Sequence, residues 1–80
     1  MLELRYFAAA RAALGRAGET TTVDDGATVA DVVGRLSAGA PEAAPVLSRC
    51  SVLLDGRRAA PDDVVPDGAT LDVLPPFAGG

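Results

Sequence analysis

Two segments with period-two alternation, one near each end of the chain, restrict the fold more than anything else in it. In "LELRYF", Leu2, Leu4 and Tyr6 share one parity and Glu3, Arg5 and Phe7 the other. In "TLDVL", Leu71 and Val73 oppose Asp72 and Leu74. Successive side chains of a strand point to opposite faces, so each segment reads as a strand with one core-facing side. These are the most apolar strand segments of the chain. Laid side by side in the centre of one sheet, they leave a single apolar face to be covered.

The cover is the segment after Thr28. Val29, Val32, Val33 and Leu36 make one apolar stripe at helical spacing. Thr28 and Asp31 are placed to form a capping box, and Gly39 and Pro41 end the helix. A shorter helix, "AAARAALG", follows the first strand and closes on Gly15. "ETTTVD" reads as a strand in a hairpin with the first, and Asp25-Gly26 as a turn. "PEAAPVLSR" holds one helical turn between prolines, and "CSVLLDGRRA" a hairpin around Asp55-Gly56. "PDDVVPDG" is a loop with a tight turn at Asp67-Gly68. Pro75-Pro76 then stops the last strand, because proline cannot donate to a ladder. The result is an α+β domain over residues 1–76, a single mixed sheet covered on one face by one main helix. Residues 77–80 form a flexible Gly-Gly tail.

With 80 residues, one small domain is expected. The absence of histidine removes the commonest general base and metal ligand, and a lone Cys50 excludes an internal disulfide or a multi-cysteine metal site. This composition argues against self-contained catalysis. Cys50 shares the parity of Val52 and Leu54 and reads as a buried structural thiol, since a reactive thiol needs exposure and a cationic neighbour. The formal charge is −4 and all seven basic residues are arginines, scattered along the chain. Nucleic acid is therefore not an expected partner; a basic protein surface is. No apolar stretch approaches the ~20 residues of a membrane helix, and Glu3 and Arg5 interrupt any signal-peptide pattern. A cytoplasmic location without membrane attachment follows as an expectation. The acidic residues Asp55, Asp62, Asp63, Asp67 and Asp72 read as a solvated surface. Phe7 and Leu74 fall on the parity opposite the core, which makes them candidates for a partner surface.

The segments "LRYFAAARAALG" and "DGATLDVLPPFAGG" resemble the MoaD/ThiS family of ubiquitin-like sulfur carriers, above all the small subunits of molybdopterin synthase. The matching positions are Tyr6-Phe7-Ala8, Arg11, Gly15, Asp67-Gly68, Pro75-Pro76 and Gly79-Gly80. The resemblance implies a β-grasp fold and a non-catalytic, sulfur-donating subunit that binds no cofactor itself. An adenylating enzyme of the ubiquitin-activating type would use ATP to activate the Gly80 carboxylate. A persulfide sulfur would displace AMP, and the Gly80 thiocarboxylate would pass its sulfur to a precursor pterin in the large subunit of molybdopterin synthase. Phe7, Leu74, Pro75 and Pro76 would meet the partner, and Phe77, Ala78 and Gly79 would carry Gly80 into its site. Glycine suits a narrow channel because it lacks a Cβ, and four extended residues reach roughly 13–14 Å. Related carriers serve thiamine, cysteine or tRNA thiolation, and others modify proteins through the same terminal glycine.

Overall fold

The computed structural model describes residues 1–76. The chain runs through β1 (Leu2–Tyr6), α1 (Ala8–Leu14), β2 (Gly18–Thr21) and α2 (Val29–Gly39). A 3-10 turn (Pro41–Ala43) leads into α3 (Ala44–Leu47), followed by β3 (Ser51–Leu54), β4 (Arg57–Arg58) and β5 (Thr70–Leu74). The strands form one mixed sheet in the order β2-β1-β5-β3-β4. β1 and β5 are parallel neighbours at its centre, with Glu3 opposite Thr70 and Tyr6 opposite Val73. The other pairs are antiparallel.

The alternation predicts the core correctly. Leu2, Leu4, Tyr6, Leu71 and Val73 have almost no exposed surface, and they meet Val29 and Val32 of α2, Ala10 and Leu14 of α1, and Leu47 of α3. The main helix begins as its sequence requires. Thr28 Oγ1 accepts from Asp31 N–H, and the Asp31 carboxylate accepts from Thr28 N–H, so two helix-end donors are satisfied reciprocally. Gly15 closes α1 in the left-handed region at φ 75. At the β3–β4 turn both central residues have positive φ, 49 at Asp55 and 83 at Gly56. That is the type I′ geometry that two-residue hairpins favour. Asp55 also exchanges two hydrogen bonds with Thr70, its N–H donating to the carbonyl and its carboxylate accepting from the amide, both at 2.9 Å. The hairpin is thereby tied to the start of β5.

Several details depart from the sequence-based expectation. "PEAAPVLSR" forms a 3-10 turn running directly into α3, and Leu47 and Ala43 are buried by it. Cys50 precedes β3 and lies outside the strand, although it still packs against the core with Val52 and Leu54. Val65, in the predicted loop, is 3% exposed; its neighbour Val64 bridges to Thr28. β2 starts earlier than expected, at Gly18. A Cβ at Gly18 would lie 2.5 Å from the Leu4 carbonyl oxygen, a backbone atom that cannot rotate away. Gly18→Ala is therefore expected to destabilise the domain by about 1–3 kcal/mol, the range for overpacking. Thermal or denaturant unfolding measures it, and an unchanged midpoint would show that the β1–β2 pair yields freely.

Candidate functional site

The face of the sheet opposite the helices carries a polar and an apolar half. Towards the start of β1 and β5 it presents Glu3, Thr20 and Thr70, which the strand registers place in one row. Towards the other end it presents Phe7 and Leu74. Phe7 extends the ladder one residue beyond β1, its N–H donating to the Val73 carbonyl at 3.0 Å. Its own carbonyl then accepts from Ala10 and Arg11 as the N-cap of α1. The chain passes from strand to helix through Ala8 at φ 49, a left-handed conformation that costs a non-glycine residue about 1–2 kcal/mol. This abrupt entry leaves Phe7 at the sheet edge of the helix, 39% exposed. Leu74 is half-buried, and Pro75-Pro76 leave the sheet directly after it. The apolar side chains thus gather where the tail departs.

Between the two halves lies an ion pair that the sequence reading did not anticipate. Arg5 Nε and Nη2 donate to the two Asp72 carboxylate oxygens at 2.6 and 2.8 Å. Asp72 is only 6% exposed, which corrects its assignment to a solvated acidic surface. The Arg5 side chain covers it and keeps its own charge more firmly, because the Asp72 hydrogen bond raises the guanidinium pKa. The Arg5 guanidinium also stacks over the Phe7 ring, 5.9 Å from its centroid. Leu53 pairs in register with Asp72 and so belongs to the same face. Neither Arg5 nor Leu53 was a candidate; the parity of Leu53 against Val52 and Leu54 was the available signal. Other acidic residues build turns: Asp67 ion-pairs with the Met1 ammonium, and Asp63 accepts from Ala60 N–H at 2.8 Å.

On the helical side of the exit, Pro75 and Pro76 line an apolar groove of about 410 Å³ with Ala9, Val46, Arg49 and Cys50. The Cys50 thiol donates to the Val46 carbonyl, and burial pushes its pKa up. That is the behaviour of a structural thiol. Tyr6 closes the core near the other edge of β1. Its hydroxyl donates to Glu19, which Arg16 also holds, and this lowers the Glu19 pKa. Among the described residues no group of three or more His, Cys, Asp or Glu side chains is placed to hold a metal ion. Nor is any helix there long and apolar enough to cross a membrane. The structure therefore brings Phe7, Leu74, Pro75 and Pro76 to one end of the sheet. The remaining predicted site residues, Phe77, Ala78, Gly79 and Gly80, lie outside the described residues.

Comparison with known proteins bears on the family and the fold. The sequence profile of the ThiS family matches residues 4–80. A protein of Haloferax volcanii named small archaeal modifier protein 3 is 37% identical, over 99% of this chain and 98% of its own. The molybdopterin synthase sulfur carrier subunit of Chlamydomonas reinhardtii is 28% identical with the same coverage. Among solved structures, a putative molybdopterin converting factor subunit 1 from Pyrococcus furiosus superposes with a TM-score of 0.86 at 21% identity, covering 95% of this chain and 97% of that one. The fold is thus the ubiquitin-like β-grasp.

Proposed function

Because the chain belongs to the ThiS family and is similar both to a molybdopterin synthase sulfur carrier subunit and to a small archaeal modifier protein, we propose that it carries sulfur for molybdopterin synthesis on a Gly80 thiocarboxylate. The observation that carries this reading is the grouping of Phe7 and Leu74 at the end of the sheet from which Pro75-Pro76 depart. A partner that covers this patch receives the tail at the same edge, so one docking event both binds the body and delivers residue 80. Two successive prolines stiffen that exit.

The chemistry needs a free α-carboxylate on Gly80. A carboxylate is a poor electrophile, so an adenylating enzyme first joins one of its oxygens to the α-phosphorus of ATP and pyrophosphate leaves. The terminal sulfur of a persulfide then adds to the acyl carbon and AMP departs with the C–O electron pair. A thiol cleaves the S–S bond of the resulting acyl disulfide and leaves the thiocarboxylate. Its soft, nucleophilic sulfur attacks a carbon of the precursor pterin bound by the large subunit and displaces an oxygen substituent there. Water then cleaves the acyl–sulfur bond, leaving the sulfur on the pterin and a carboxylate on Gly80. This chain supplies the acyl group, the reach and the docking face; ATP and catalysis belong to its partners.

The 37% identity to a modifier protein favours one alternative: transfer of the Gly80 acyl group to lysine ε-amines of other proteins. Purified thiocarboxylate, mixed with a molybdopterin synthase large subunit and precursor pterin, separates the two. The proposal expects sulfur to appear in the pterin and the chain to return as the carboxylate. Absence of transfer, together with conjugates to protein lysines in the presence of the adenylating enzyme, would establish the modifier reading instead.

A further inference from the structure

Activating Gly80 exposes the chain to a side reaction with itself. Any neutral amine that adds to the acyl carbon forms an amide, while the C–O bond to AMP or the C–S bond to a thiol breaks. The leaving group takes the electron pair and the amine's proton passes to solvent. Residues 1–80 contain no lysine, their basic side chains being arginines throughout. Guanidinium groups stay protonated and do not act as nucleophiles. Within these residues the one remaining amine is that of Met1, and the fold places it at the opposite end of β5 from Leu74 and Pro75-Pro76.

That separation follows from the parallel pairing of β1 with β5. Met1 lies beside the start of β5, where Gly68 N–H donates to its carbonyl at 2.8 Å and Asp67 ion-pairs with its ammonium. The tail leaves the opposite end, after Leu74 and Pro75-Pro76. From Thr70 to Pro76 is about 20 Å of strand at ~3.3 Å per residue. The four residues beyond Pro76 span at most about 14 Å. Closing a circle would require β5 to peel from the centre of the sheet.

Resting on the reading of Gly80 as an activated acyl group, we infer that this chain is protected against acylating itself: it neither cyclises nor builds side-chain-linked chains, and its acyl group passes only to a different molecule. In a carrier this keeps the activated acyl group from being lost to side chains of other copies of the same protein. In a modifier it restricts attachment to single units, or to head-to-tail links through Met1.

The test uses residues 1–80 prepared as a Gly80 α-thioester of a small thiol, which needs no activating enzyme. Its result therefore stands or falls separately from the sulfur-carrier reading. The concentrated thioester is incubated at mildly alkaline pH, treated with a thiol reductant and hydroxylamine, and analysed by intact mass and peptide mapping. The expected products are hydrolysed monomer and, at most, dimers joining Gly80 to Met1. Arg57→Lys, on the exposed edge strand β4, should raise covalent dimer several-fold, with the new link at residue 57. A cyclic monomer, one water lighter than the acid, would overturn the inference, as would stable links at any other residue of the native chain. Failure of Arg57→Lys to form dimers would overturn it too, because the lack of lysine would then not be what protects the chain.

Discussion

Deleting Gly80 is expected to abolish adenylation and sulfur loading while leaving the melting temperature unchanged. The core of Leu2, Leu4, Tyr6, Leu71 and Val73 is complete within the described residues, and the last strand is already closed by Pro75-Pro76. Removing one residue from beyond the last strand leaves every side chain of that core in place. The shortened chain still ends on a glycine, Gly79, but its carboxyl is withdrawn from the position where a partner would act, by about 3.3–3.6 Å of reach. A displacement of 1 Å can cost a positioned reaction a factor of roughly 100, so a full residue should leave no measurable turnover. Pyrophosphate exchange with the adenylating enzyme and thermal unfolding give the two readouts. Undiminished exchange by the shortened chain would remove Gly80 from the mechanism.

Phe7→Ala should weaken binding to the large subunit by about 1–3 kcal/mol, roughly 5- to 150-fold in Kd, with little effect on the isolated domain. The ring is 39% exposed and outside the core cluster, and its contact on this face is the Arg5 guanidinium. An exposed cation–π contact of this kind contributes about 0.5–1 kcal/mol at most. Arg5→Ala is the comparison, and it should differ from Phe7→Ala in lowering the stability of the isolated domain. It strips the partner from the nearly buried Asp72 carboxylate, and leaving such a group unsatisfied costs about 1–3 kcal/mol of stability. Titration calorimetry and thermal unfolding of both variants distinguish the roles. A large fall in the melting temperature of Phe7→Ala with unchanged affinity would place Phe7 in the core and remove the docking face.

Local signals made most of this fold legible. Leu2, Leu4, Tyr6, Leu71 and Val73 were readable because each strand has one wet and one dry face. Thr28 with Asp31, and Asp55 with Gly56, were readable because a helix cap and a type I′ turn each depend on adjacent residues. What escaped depends on distant partners. Asp72 looks like a surface acid until the parallel register sets Arg5 beside it, 67 positions away in sequence. Gly18 looks like loop until the Leu4 carbonyl is seen to occupy the space of its Cβ. Val65 is buried by the Thr28–Val64 bridge and the bond from Val65 N–H to Ala27, a pairing that "PDDVVPDG" does not announce. Of the candidate site, Phe7 and Leu74 followed from parity; Leu53 carries the same signal against Val52 and Leu54, and its pairing with Asp72 sets it on that face.

The central claim is that Gly80 is a sulfur-bearing acyl group, and intact mass tests it most directly. The chain is incubated with a ubiquitin-activating-type adenylating enzyme, ATP and a persulfide donor, then weighed whole and by its C-terminal peptide. The account predicts a mass gain equal to the replacement of one oxygen by one sulfur, located at Gly80 and dependent on ATP. An unchanged mass under conditions in which the enzyme loads a known carrier would contradict it, as would sulfur bound at Cys50 in place of Gly80.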